Sequence, residues 1–234
     1  KMKQILFIIA AAFLLSIPHS AFANESLDVV VDKIQKKYEQ VTDFHAGFSQ
    51  EAEVKALNKV QKAEGEVWFK KPGKMRWNYN SPAKDEIVSD GNTLWYYSQE
   101  EKQVIETPLS KVSDTQTTST LLSGLGNIKE LFDVSFANAD ALGGGAGSYF
   151  LDLKPKTEEE GYNKVTIAVD KNTMLVNTMY LYDPFGNLTT VNLTNISVDK
   201  GVPDSLFVFN VPAGVEVIKP PPWVNNGAGK RSRA

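Results

Sequence analysis

The sequence predicts a mainly β fold with some helix (α+β). Its core is one antiparallel sheet of about nine to eleven strands, curled into a barrel or half-barrel. Three observations predict it. Apolar residues recur at every second position through most of the chain after Phe44. Turn signals separate these runs, among them KKPGK, NSPAK, SDGN, TEEEGYN, VDKNT and DPFGN. Helical spacing is confined to a stretch ahead of the first strand and to one insert between two sets of strands. A sheet of this size does not stay flat, so it curls, and the helices are expected across its mouth or concave face.

The chain begins with Lys1 and Lys3 and then an apolar run, ILFIIAAAFLL, from Ile5 to Leu15. Ala21-Phe22-Ala23 supplies the small residues of a signal-peptide cleavage site. The run is shorter than the roughly 20 apolar residues that cross a bilayer. Residues 1–23 are therefore expected to be a cleaved signal peptide, with the mature chain starting near Asn24. Losing Lys1 and Lys3 takes the formal charge from −3 to −5. Such a chain has no general attraction for nucleic acid or an anionic membrane surface. There is no cysteine. An exported domain of this length builds a sufficient core without disulfides, and a bacterial lipoprotein would need a cysteine to carry its lipid. The expectation is a protein that is soluble after export.

Leu27, Val30, Val31, Ile34, Tyr38 and Val41 recur at three- and four-residue spacing, with charged residues on the other side, and predict a helix ending near Thr42-Asp43. Asn24 or Ser26 suits its start. The period then changes to two. Phe44, Ala46 and Phe48 alternate. Val67 and Phe69 oppose Trp68, and Met75, Trp77 and Tyr79 oppose Arg76 and Asn78. Later strands are centred on Leu151, Ile167, Leu181 and Val191. Between the two sets, from about Asp114 to Asp133, Leu121, Leu122, Leu125, Ile128, Leu131 and Phe132 suit one or two short helices broken at Gly124 and Gly126. ALGGGAGS follows as a loop. The folded domain is expected over residues 24–219, with residues 220–234 a disordered Pro-rich tail.

Catalytic constellations are poor. The mature part has one histidine, His45, which cannot build a metal cluster without partners and has no nucleophile-elbow motif to serve. GGGAG at Gly143 to Gly147 lacks the Lys-Ser/Thr ending of a phosphate loop. No enzyme, metal or cofactor is expected. The apolar inventory says more. In VSDGNTLWYYSQ, Leu94 and Tyr96 share one face of a strand and Trp95 and Tyr97 the other, so both faces need cover. Either these aromatic strands enclose an ordinary filled core, or they line a cavity, since a barrel of more than about eight strands is wider than side chains readily fill.

Five stretches carry a family resemblance. FHAGFSQ (Phe44 to Gln50), GEVWFKKPGKMRWNY (Gly65 to Tyr79), IVSDGNTLWYY (Ile87 to Tyr97), and LYDPFGNLT with FVFNVPAGVEV (Leu181 to Thr189, Phe207 to Val217) together resemble the LolA family. That family comprises periplasmic carriers of outer-membrane lipoproteins. The resemblance spans about Leu27 to Val217 in order. It implies a half-open antiparallel β-barrel of about eleven strands covered by a helical lid, with the acyl chains of lipoproteins inside the concave apolar face. It also implies cargo taken from an inner-membrane lipoprotein-releasing ABC transporter and passed to an outer-membrane receptor, by a monomer in the periplasm. The receptor shares the fold but is lipid-anchored through a cysteine, so the missing cysteine points to the soluble carrier. The same fold also serves as the ligand-binding half of an envelope-stress regulator with a further C-terminal domain, which is not expected in the short stretch after Val217.

The resemblance further implies site residues. Met75 and Trp77, Leu94 or Trp95, Leu121 and Leu122, with Leu125 and Phe132, are expected to line the cavity and its lid. The family has an arginine before the proline of the W-x-K-R-P block, bonded to the lid in the empty form. Lys71 stands there, and lysine lacks the five-donor fork, so a weaker grip on lid carbonyls is expected.

Overall fold

The computed structural model describes residues 25–111, 125–156 and 162–219. The proposed signal peptide, the tail and the pair Leu121 and Leu122 lie outside the described residues. Helix α1 runs Leu27–Gln40 and buries Val30, Val31, Ile34 and Tyr38, the stripe that the three- and four-residue spacing marks out. Ser26 takes the N-cap position without a side-chain bond, and its carbonyl accepts from the Val30 N–H at 3.1 Å.

Six strands follow: β1 (Asp43–Val54), β2 (Lys59–Lys70), β3 (Lys74–Ser81), β4 (Glu86–Asp90), β5 (Thr93–Ser98) and β6 (Gln103–Pro108). A short turn at Leu125–Asn127 leads into helix α2 (Ile128–Leu131). Then come β7 (Phe132–Phe136), β8 (Ser148–Pro155), β9 (Lys164–Asp170), β10 (Val176–Tyr182), β11 (Leu188–Val198) and β12 (Glu216–Ile218). All twelve form one sheet in the order β12-β6-β5-β4-β3-β2-β1-β11-β10-β9-β8-β7. Each pairing is antiparallel except the parallel β12–β6. β1 sits between the two sets and joins them, and the outermost strands, β12 and β7, do not pair with each other. The barrel is thus half-open with a helical lid.

Two details differ from the sequence expectation. The insert's helical pattern stops at Leu131, and Phe132 opens β7 instead. FDVSF already alternates, and strand pairing of Phe132 with Pro155 and Val134 with Leu153 overrides the preceding helical period. The strand count is also one higher than eleven, because a three-residue β12 forms from the segment after Val198.

SDGN is a tight turn. The Asp90 carboxylate accepts from the Asn92 and Thr93 N–H groups, both at 2.8 Å, and Gly91 has φ +100, a conformation that costs other residues strain.

Residues directly opposite in an antiparallel pair share a face, so the register assigns every strand residue to a side. Phe44, Phe69, Met75, Ser89 and Leu94 stand in one row. Ala46, Val67, Trp77, Ile87, Tyr96 and Ile105 stand in the next. Both rows lie on the inner face, where Phe44, Ala46, Val67 and Trp77 share one buried cluster with α1. Leu151, Leu153, Val165, Ile167, Met179, Val191 and Leu193 belong to the same buried cluster. His45, Trp68, Arg76, Val88 and Trp95 form the opposite, outer row.

Candidate functional site

The site is the inner face and the lid that covers it. Aromatic rings pack along β1 to β3. Phe48 meets Trp77 edge-on at 4.8 Å and Tyr79 at 5.1 Å, and Phe69 meets Trp77 at 6.2 Å. Gly65 makes this packing attainable. A Cβ there would lie 1.9 Å from the Asn78 carbonyl oxygen and 2.9 Å from the Phe48 ring, so only glycine fits where β2 shifts register against β3.

Helix α1 is fastened by polar contacts around an apolar underside. The last carbonyls of a helix have no partner within it. At the end of α1, Lys71 supplies one from across the sheet. Its ammonium donates to the Tyr38 carbonyl at 2.6 Å and the Glu39 carbonyl at 3.0 Å, while its backbone N–H donates to the Thr42 carbonyl at 2.9 Å. The cation also suits the negative end of the helix dipole. Lysine thus reaches two lid carbonyls with its one ammonium. On the other side, the Val176 N–H of β10 donates to the Tyr38 hydroxyl at 3.1 Å. Burial pushes that phenol far above the ordinary tyrosine range. At the opposite end of α1, the Tyr149 hydroxyl of β8 donates to Glu25 at 2.8 Å.

The second lid piece packs on the first. Leu125 and Ile128 are fully buried, Lys129 pairs with Asp32 of α1 at 2.5 Å, and Lys156 donates to the Lys129 carbonyl at 2.7 Å. Phe132 is buried in the same cluster.

The expected cavity residues divide. Met75, Trp77 and Leu94 face inward, and Trp77 and Met75 are buried. Trp95 faces outward, so it does not join them. The inner row runs past the lid to the sheet edge, where Tyr96 is 37% exposed, Ile105 40% and Ile218 37%. That stretch of apolar face is open to solvent.

Among the described residues, two buried polar atoms on this face have no hydrogen-bond partner: Trp77 Nε1 and Asp85 Oδ1. The other Asp85 oxygen accepts from the Tyr96 hydroxyl at 2.9 Å. Burial first, and this bond second, push the Tyr96 phenol up to about 12.

The outer face answers what covers Trp95 and Tyr97. The segment after β11 crosses β2 to β5 as a strap. Lys70 donates to the Val202 carbonyl at 2.8 Å and pairs with Asp204 at 2.6 Å, which Lys74 also meets at 3.1 Å. Arg76 donates to the Leu206 carbonyl at 3.0 Å and pairs with Glu86. Phe207 is buried, and the Phe209 ring lies 5.9 Å from Trp95 and 6.0 Å from Tyr97. The strap then ends as β12 beside β6. One block, GEVWFKKPGKMRWNY, thus serves three surfaces. Val67, Phe69, Met75 and Trp77 face the interior; Lys70, Lys74 and Arg76 hold the strap; Lys71 holds the lid. The alternation is legible in the sequence, but the strap residues are not, since nothing local says that a segment 130 residues away returns over them.

Other chemistry finds little support. His45 stacks on Trp68 at 4.9 Å on the outer face, with Nε2 3.2 Å from Glu66. Among the described residues no group of His, Asp and Glu could hold a metal ion, and no helix is long and apolar enough to cross a membrane.

Residues 39–210 match the family described as outer membrane lipoprotein carrier protein LolA. The chain is 31% identical over 219 residues to an outer-membrane lipoprotein carrier protein of Nitrosomonas europaea, covering 93% of this chain and all of that one. It is 32% identical over 208 residues to the protein of that name in Legionella pneumophila strain Lens, covering 88% and 96%. A solved structure, an uncharacterized conserved protein from Thermus thermophilus, shares the fold with a TM-score of 0.51 at 11% identity, over 83% of this chain and 99% of that one.

Proposed function

Because this chain belongs to the LolA family of outer membrane lipoprotein carrier proteins, we propose that it is a periplasmic carrier that shelters the acyl chains of lipoproteins against its inner sheet face. In this reading it is exported with a cleaved signal peptide and works as a monomer. It takes cargo from an inner-membrane ABC transporter, hands it to an outer-membrane receptor, and needs neither catalysis nor a cofactor. Met75, Trp77 and Leu94, together with Leu125 and Phe132, would meet the cargo when the lid lifts. The observation that carries the reading is an apolar inner face whose cover, α1, rests on it through its own apolar stripe and is tied at its end by Lys71 and the Tyr38 hydroxyl.

The energetics suit reversible carriage. Each buried CH₂ is worth about 0.8 kcal/mol, so a sixteen-carbon chain resists free diffusion through water by roughly 12 kcal/mol. In the closed form the inner face is already buried against Val30, Ile34, Leu125 and Ile128. A bound chain would replace these side chains, so net affinity is the difference between two burials and release stays feasible.

Native mass spectrometry of the protein isolated from periplasm tests this. Triacylated peptide bound one-to-one is expected. Recovery with free phospholipid alone, or with nothing under conditions that retain lipid, would count against carriage of lipoproteins.

A further inference from the structure

We infer that the indole N–H of Trp77 is a hydrogen-bond site for the carbonyl oxygen of a bound acyl group, so that the inner face selects acyl esters and amides over alkyl chains of equal length. The inference rests on reading that face as an acyl-chain shelter and adds the chemistry by which it recognises its ligand.

Trp77 is 2% exposed, yet its Nε1 has no acceptor. Buried tryptophan N–H groups ordinarily find one, and a buried donor without a partner is a cost to the fold. Its surroundings are rings: Phe48, Phe69 and Tyr79. Three hydroxyls of the inner face have partners elsewhere, and Asp85 Oδ1 is the other buried polar atom there without one. The Ser89 hydroxyl donates to the Gly73 carbonyl, the Tyr96 hydroxyl donates to Asp85, and the Tyr38 hydroxyl takes the Val176 N–H. In the closed form the donor has no partner among the described residues, so an acceptor brought by a ligand would satisfy it.

The site restricts what that acceptor is. A water molecule needs two or more polar partners, and the Phe48 and Phe69 rings against the indole offer none. A carboxylate would carry its charge into an apolar, buried position. A neutral carbonyl on a hydrocarbon tail meets both limits, because the tail takes the apolar face and the oxygen takes the N–H. The bond exists only in the loaded form, so it favours loading over the empty closed state. Phenylalanine keeps a ring there without the N–H but is smaller than indole, so the ranking of ligands within the variant, rather than its absolute affinity, reports the contact.

The test uses the mature chain and Trp77→Phe, with displacement of a fluorescent fatty-acyl probe by three ligands of equal tail length: an N-palmitoyl peptide, a palmitoyl ester and a hexadecyl ether. The wild type should prefer the two carbonyl ligands over the ether by about five- to ten-fold. Trp77→Phe should bind all three with one common affinity, without the preference for the carbonyl ligands. A second measurement needs no substitution: the indole N–H resonance of isotope-labelled Trp77 should move downfield with the ester and not with the ether. Equal wild-type affinity for ester and ether, a preference that survives in Trp77→Phe, or an unmoved resonance would overturn the site. If none of the ligands binds the wild type, the acyl-shelter reading falls first, and this site with it.

Discussion

The Lys71 ammonium lies 2.6 Å from the Tyr38 carbonyl oxygen, bringing a cation from the β2–β3 turn onto the last turn of the helix that covers the sheet. The same nitrogen reaches the Glu39 carbonyl. Both oxygens would otherwise lack a partner, so this one side chain closes the free end of α1.

Removing that cation should loosen the lid without unfolding the sheet. Bonds from a charged donor contribute about 1.5–3 kcal/mol each, less where water competes. Lys71→Met should therefore speed amide exchange in the last turn of α1 by roughly ten-fold or more and accelerate uptake of a fluorescent fatty acid. Lys71→Arg, with five donors, should slow uptake. Uptake rates that ignore both substitutions would remove Lys71 from the closing contact.

The strap should matter for stability more than for the lid. Phe207 is almost fully buried, so Phe207→Ala should cost about 3 kcal/mol or more. Phe209 is half-buried, and its loss should cost less while exposing Trp95 and Tyr97 on the outer face. Urea midpoints, read together with the red shift of tryptophan emission, would separate the two. A Phe207→Ala midpoint equal to wild type would contradict the strap's role.

Acid should release the strap's attachments. The Thr42 N–H and hydroxyl hold the Asp199 carboxyl below its ordinary range, and Lys70 with Lys74 does the same for Asp204. A folded-state value below the unfolded one means that stability is fully present above the ordinary aspartate value of about 3.9 and is lost as pH falls through the folded-state value. Both carboxylates are solvent-facing, so the effect is small. Urea midpoints between about pH 6 and pH 3 should fall less steeply for the double variant Asp199→Asn, Asp204→Asn than for wild type. Parallel curves would rule out these two as contributors.

Gly65 should tolerate no side chain. Gly65→Ala places a Cβ against the Asn78 carbonyl and the Phe48 ring, so backbone or ring must move. Overpacking of this kind costs about 1–3 kcal/mol. Thermal unfolding of the variant should show a clear drop, whereas Gly145→Ala, whose Cβ meets nothing within 4 Å, should leave the midpoint unchanged.

Much of this molecule is written locally. The three- and four-residue stripe from Leu27 to Tyr38 makes a helix wherever it is placed. The alternation of Val67, Phe69, Met75 and Trp77 commits those residues to one face of any sheet they join. Asp90 and Gly91 form their turn from their own backbone preferences. Those are short-range preferences, readable because they depend on neighbours within a few positions. Three things needed the folded chain. Which face of β5 is inner depends on its register with β4 and β3, which places Leu94 inside and Trp95 outside. Trp95 and Tyr97 are covered by Phe209, and Arg76 is bonded to Leu206, through chain that returns only after the whole second half of the sheet is built. Lys71 finds its two carbonyls because β2 ends where α1 ends. Each of these joins residues far apart in sequence, and no local pattern encodes a contact whose partner is set by pairing of the entire sheet.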